Sequence, residues 1–179
     1  DRLIILGDYV DGWLEAVATV DLLSDLKQTH NCIFLRGNHD ELCYDWLADG
    51  KDNPMWKHHG GEATMASYEN TDAITKNRHI AFYESLQNYY LDSNNRLFIH
   101  AGFTNLKGVD FEYFQKTFYW DRTLWELAVS LNPDLDPNNP WYPKRLTHYR
   151  GIYLGHTPVT RMGKTTPEKA ANVWNVDTG

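Results

Sequence analysis

The chain has 179 residues, of which 42% are hydrophobic, enough for a sizeable core and too evenly spread for a disordered polymer. Its formal net charge of -7 argues against a general binder of nucleic-acid polymers, which needs Lys and Arg against phosphate, and suits a protein that gathers a cation among clustered carboxylates. Two cysteines, Cys32 and Cys43, make no disulfide framework, and the sequence has no 18-residue apolar stretch, so a reducing, cytoplasmic setting away from membranes is expected.

The apolar run at residues 3–6 closes on Gly7 and reads as a buried strand. Leu14, Val17, Ala18, Leu22 and Leu26 then mark one apolar stripe of a helix. Residues 32–35 form a second apolar run, closed by Arg36-Gly37-Asn38. Strand, helix, strand in this order is a βαβ unit with parallel strands. Further helices are expected at residues 41–48, 62–68 and 79–86, with a turn at 49–54. Residues 97–99 read as a strand closed by His100-Ala101-Gly102. The aromatic-rich stretch 111–131 reads as partly helical, and the proline-rich stretch 132–143 as loop. Residues 152–154 form a strand closed by Gly155-His156-Thr157-Pro158, and 173–176 a last strand.

Four apolar strands therefore end in turns that carry metal-capable or acid–base side chains: Asp8 and Asp11, Asn38 and His39, His100, and His156. In α/β sheets ligands sit beyond the carboxyl ends of strands, where such turns can meet. Asp8 offers a carboxylate able to bridge two cations, Asn38 a neutral oxygen, and His100 and His156 imidazole nitrogens. That mixed oxygen and nitrogen set suits manganese, iron or zinc better than calcium or magnesium. His39 follows Asn38 directly and faces another way, so it reads as a proton donor to a leaving alkoxide, with Asp11 orienting its second ring nitrogen. Each piece alone is more often ordinary turn chemistry; their coincidence at four strand ends favours a site.

The strings Gly7-Asp8-Tyr9-Val10-Asp11-Gly12, Gly37-Asn38-His39-Asp40, His100-Ala101-Gly102 and Gly155-His156-Thr157 resemble, in order and spacing, the motifs of calcineurin-like metallophosphoesterases. Trp56 with Gly60-Gly61-Glu62-Ala63-Thr64, Trp120-Asp121-Arg122, and the closing Asn175-Val176-Asp177-Thr178-Gly179 resemble the bacterial phosphoprotein-phosphatase branch, which includes Ser/Thr phosphatases and diadenosine tetraphosphatases. The resemblance implies an α/β domain over residues 1–179, a βαβ-containing sandwich of two mixed sheets flanked by helices. It implies two divalent transition-metal ions, manganese first, with Asp8 bridging them and Asn38, His100 and His156 completing the second site. It also implies His39 as general acid, Asp11 as its partner, and Arg122 as the phosphate clamp. Arg36 is a second candidate clamp, against an even alternative as a structural ion pair.

Two departures bear on activity. The family opens with a Gly-Asp-x-His segment, and only Asp1 and Arg2 precede the first strand, so a domain shortened at both ends and an incomplete first metal site are expected. The family also usually has Arg where Gly12 stands, and Trp13 follows, either packing on the core or stacking on a base. The expected function is hydrolysis of phosphate monoesters, on a phosphoprotein or a small molecule, by a two-metal-activated hydroxide. The alternatives are hydrolysis of a dinucleoside polyphosphate, and a non-catalytic metal-binding or inert fragment.

Overall fold

The computed structural model describes residues 2–179, which form two compact units, one ending at Gln87 and the other spanning Asn88–Gly179. In the first, β1 (Leu3–Ile5) and β2 (Cys32–Phe34) pair in parallel, with Leu3 opposite Cys32 and Ile5 opposite Phe34. The crossover between them is α1 (Ala16–Thr29). Next come α2 (Asn38–Asp49), a single turn α3 (Pro54–Trp56), α4 (Glu62–Ser67) and α5 (Ala73–Glu84). Gly50 ends α2 in the left-handed conformation, at φ 66°. The Asp72 side chain starts α5 by accepting from the Thr75 amide at 2.7 Å.

The expected stripe of α1 is corrected in part, since Val17 and Leu26 pack against the core but the rest of it does not. Leu14 lies ahead of the helix, and Leu14 and Leu22 are 66% and 60% exposed. The buried face is Ala16, Val20 and Ser24, one residue every turn. Small side chains on that face let α1 pack against α4 and α5. Around it, Tyr9, Phe34 and Phe82 meet edge to face with ring centres 5.5–6.1 Å apart. The Tyr9 hydroxyl donates to the Leu35 carbonyl at 2.7 Å, pinning the turn after β1 to the end of β2.

The second unit is a five-stranded mixed sheet in the order β3-β4-β5-β7-β6: β3 (Tyr89–Leu91), β4 (Arg96–Ile99), β5 (Gly151–Leu154), β6 (Glu168–Ala170) and β7 (Val173–Asn175). The three central strands are parallel and the two edge strands antiparallel. Side-chain alternation divides its faces. Leu97, Ile99, Ile152, Leu154 and Val173 point into a core with Phe103, Leu124 and Trp125. On the other face Phe98, Tyr153 and Trp174 stack in register across the parallel strands, at 4.8 and 6.5 Å. The stretch 111–131 is helical only in α6 (Thr117–Trp120) and α7 (Thr123–Ser130). No helix of the described residues is long and apolar enough to cross a membrane.

His79 on α5 is fully buried, with Nε2 2.7 Å from Asp21 on α1 and Nδ1 2.7 Å from the Tyr68 hydroxyl. A neutral ring donating from Nε2 and accepting at Nδ1 satisfies both contacts. Burial pushes this imidazole below its ordinary value, against the pull of Asp21. The unfolded chain therefore takes the proton first, and stability falls as pH drops below about 6.5. Thermal melts across this range should show the melting temperature declining toward acid, with a shallower decline in His79→Gln. An equally steep decline in the variant would remove His79 as the cause.

Candidate active site

In the first unit, the turn after β1 and the start of α2 build one cluster. Gly7, Asp8, Asp11 and Gly12 all have positive φ, with Asp8 at 61° and Asp11 at 84°. Positions of this kind cost on the order of 1–3 kcal/mol each for a residue with a side chain and need external support. Asp40, at the third position of α2, supplies it. Its buried carboxylate accepts the amides of Asp8 at 2.8 Å, Tyr9 at 2.9 Å and Gly37 at 2.8 Å. Burial, followed by the charge of Asp8, raises the Asp40 carboxyl to about 6, while the three amides oppose the shift.

The Asp8 carboxylate accepts the His39 amide at 3.0 Å and lies so close over Gly37 that a β-carbon there would sit 2.1 Å from Asp8 Oδ1. Asn38 is buried at the first position of α2. His39 turns its ring to Asp11, with Nδ1 2.5 Å from Oδ2. Burial alone would lower the His39 pKa, but the Asp11 hydrogen bond and the charges of Asp8, Asp11 and Asp40 outweigh it, and the imidazole is raised above 6.5. Asp11 itself is buried and also accepts from Trp56 Nε1 and Thr64 Oγ1, both at 2.6 Å. Asp8, Asp11, Asn38 and His39 are thus assembled by one strand end and one helix start. Arg36 is engaged elsewhere: Nη1 meets Glu41 at 2.6 Å and Nη2 donates to the Tyr83 carbonyl at 2.9 Å.

In the second unit, His100 follows β4 and His156 follows β5, both buried. The Gly155 amide donates to the His100 carbonyl at 2.9 Å, and the rings approach with Nε2 of His100 3.3 Å from Nδ1 of His156. His156 adopts φ 66°. Arg122 Nη1 donates to Thr157 Oγ1 at 2.8 Å, beside His156. Asp121 caps α7 through the amides of Thr123 and Leu124, both at 3.0 Å, and packs so tightly on Gly102 that a β-carbon there would be 2.4 Å away. Two buried imidazoles with converging nitrogens, and in the first unit a supported carboxylate and a buried asparagine on adjoining turns, are donor sets that fit a divalent transition metal.

A phosphoesterase family accounts for these motifs: the calcineurin-like phosphoesterase profile matches residues 1–178, and the chain belongs to that family. Its members are hydrolases that use divalent metal ions. Among known proteins, the chain is 28% identical to an asymmetrical bis(5'-nucleosyl)-tetraphosphatase of Anoxybacillus flavithermus, over 99% of this chain and 70% of the relative. Its fold is similar to that of a Saccharomyces cerevisiae protein serine/threonine phosphatase, at a TM-score of 0.59 and 20% identity, covering 97% of this chain and 56% of that one. A putative diadenosine tetraphosphatase aligns at a TM-score of 0.56 and 16% identity, over 99% of this chain and 70% of that one. The chain thus spans little more than half of the yeast phosphatase.

Sequence reasoning gave no role to Asp40, Trp56 or Thr64. For Asp40 a signal existed, an acid three residues after the turn that opens a helix, where its carboxylate can reach back to the capping amide. Asp40→Ala should lower stability by about 3 kcal/mol, because three amides lose a charged acceptor. Urea unfolding checks this, and a loss within ±0.5 kcal/mol, as for an ordinary surface change, would show that Asp40 is not what supports the turn.

Proposed function

We propose that the protein is a metal-dependent phosphoesterase in which His39 protonates the leaving oxygen. The observation that carries this reading is the 2.5 Å contact between His39 Nδ1 and the buried Asp11 carboxylate, which fixes the ring and favours its charged form. Asp8, Asn38, His100 and His156 would hold metal, as family membership suggests for these motif positions. Divalent ions bound there would supply Lewis acidity and an activated water. Manganese is the first choice on the donor set. Arg122 would bind phosphoryl oxygens through its planar guanidinium, its Thr157 contact holding the fork beside His156. Arg36, tied to Glu41 and the Tyr83 carbonyl, is better suited to joining α2 and α5. A cytoplasmic setting follows from the sequence-based expectation.

Phosphate monoesters are the first substrate class. A dinucleoside polyphosphate is the second reading, favoured by the 28% identical tetraphosphatase. The deciding assay sets p-nitrophenyl phosphate, a phosphopeptide and diadenosine tetraphosphate side by side with Mn²⁺. Turnover of at least one is expected; turnover of none would favour a non-catalytic protein.

His39→Ala should lower turnover of an alkyl phosphate by about 100-fold or more, and of p-nitrophenyl phosphate far less, since nitrophenolate leaves without a proton. Equal losses on both would remove His39 as the acid. Asp8→Asn should weaken Mn²⁺ binding by about tenfold or more in calorimetric titration; unchanged affinity would remove Asp8 as a ligand.

A further inference from the structure

We propose that Trp56 and Thr64 are positioning residues that act through Asp11 on His39, and that together they set how well the site handles poor leaving groups. The proposal rests on His39 as proton donor, but its geometry stands alone. Trp56 Nε1 and His39 Nδ1 both donate to Asp11 Oδ2, at 2.6 and 2.5 Å. Thr64 Oγ1 donates to Oδ1 at 2.6 Å while accepting the Asp11 amide at 3.0 Å. The carboxylate is gripped at both oxygens, and its backbone is tied to one of the gripping groups. Rotation of Asp11 would break at least two of these bonds, so the direction in which it holds the imidazole is set by residues 45 and 53 positions away in the chain.

The approach of that segment has a steric condition. A β-carbon at Gly60 would lie 2.6 Å from the Gly12 amide nitrogen, and one at Gly61 would lie 2.5 Å from the Trp56 indole. Gly60 has φ 106°, and its carbonyl accepts the Gly12 amide at 3.2 Å. Two adjacent glycines thus let the chain lie directly on the Asp11–Gly12 turn and fold the indole back under it. Trp56 is 2% exposed and Thr64 fully buried, so both donors act in a dry environment, where hydrogen bonds to a charge are strong. A residue chosen only to fill space there would need no indole N–H aimed at a carboxylate.

Trp56→Phe and Thr64→Val each remove one donor while keeping most of the packing volume. On phenyl phosphate, a poor leaving group, turnover should fall by about tenfold or more, while p-nitrophenyl phosphate should be far less affected. Thr64→Ser, which keeps the hydroxyl, should restore the phenyl phosphate rate. In proton NMR of the metal-free protein, the His39 Nδ1 proton should give a far-downfield signal that moves or broadens in Trp56→Phe and Thr64→Val and is retained in Thr64→Ser. Equal losses on both substrates, failure of Thr64→Ser to restore the rate, or an unmoved His39 signal would overturn the proposal. If the unaltered protein hydrolyses neither substrate, the phosphoesterase reading fails, and the His39 signal alone decides the positioning.

Discussion

One buried carboxylate holds the first half of this molecule in working shape. Asp40 gathers the amides of Asp8, Tyr9 and Gly37, and so joins the end of β1 to the start of α2. The magnitudes favour this arrangement. Two aspartates in left-handed backbone cost on the order of 1–3 kcal/mol each. Three hydrogen bonds to a charged acceptor return roughly 1.5–3 kcal/mol each, before the burial that raises the Asp40 carboxyl to about 6 is set against them. Without them the turn would relax, and the Asp8 carboxylate would lose its seat over Gly37. A polar residue at the core of the fold thus supports the backbone and sets where the reactive groups sit.

Asp8, Asp11 and Asp40 lie within one pair of turns, and such crowding is unfavourable unless opposite charge or donors compensate. Each carboxylate has its own solution. Asp40 takes three amides, Asp8 the His39 amide at the positive end of α2, and Asp11 the indole, hydroxyl and imidazole donors. The same acidic field raises the affinity of His39 for its proton. The charges that crowd the turns therefore also favour the charged form of His39.

Much of this was legible in the sequence because glycines punctuate it. Gly7 and Gly155 end apolar runs, and the residues after them fall on turns beyond strands, as expected, whereas Asn38 and His39 after Gly37 already open α2, ahead of the helix expected from residue 41. The face of α1 was misread in part: Val17 and Leu26 do pack against the core, but leucines dominate a hydrophobic count, whereas close helix contact selects Ala16, Val20 and Ser24. The Val17 amide donating to Ser67 Oγ at 3.0 Å shows how near α4 comes. Edge strands β3 and β6 were missed because three residues, one set opening on Glu168-Lys169, carry too little alternation to stand out. Trp56 and Thr64 could not be read at all. Their meaning lies in where two side chains point after a long excursion of the chain, and no local pattern encodes that.

The Gly12 position ties these threads to substrate choice. A β-carbon added there would meet nothing, so space is not what excludes a larger residue. The obstacle is the backbone, held at φ 87° while the amide reaches Gly60. An arginine at this point would need either that strained conformation or a turn released from Gly60, and releasing it would disturb the Trp56 and Thr64 grip on Asp11. The turn at Asp11 and Gly12 thus disfavours a guanidinium there, and leaves Trp13, 46% exposed, as the next side chain. A monoester dianion concentrates two charges on one phosphorus, whereas an internal phosphate of a polyphosphate chain carries one. Loss of a cation therefore weakens binding of the monoester more.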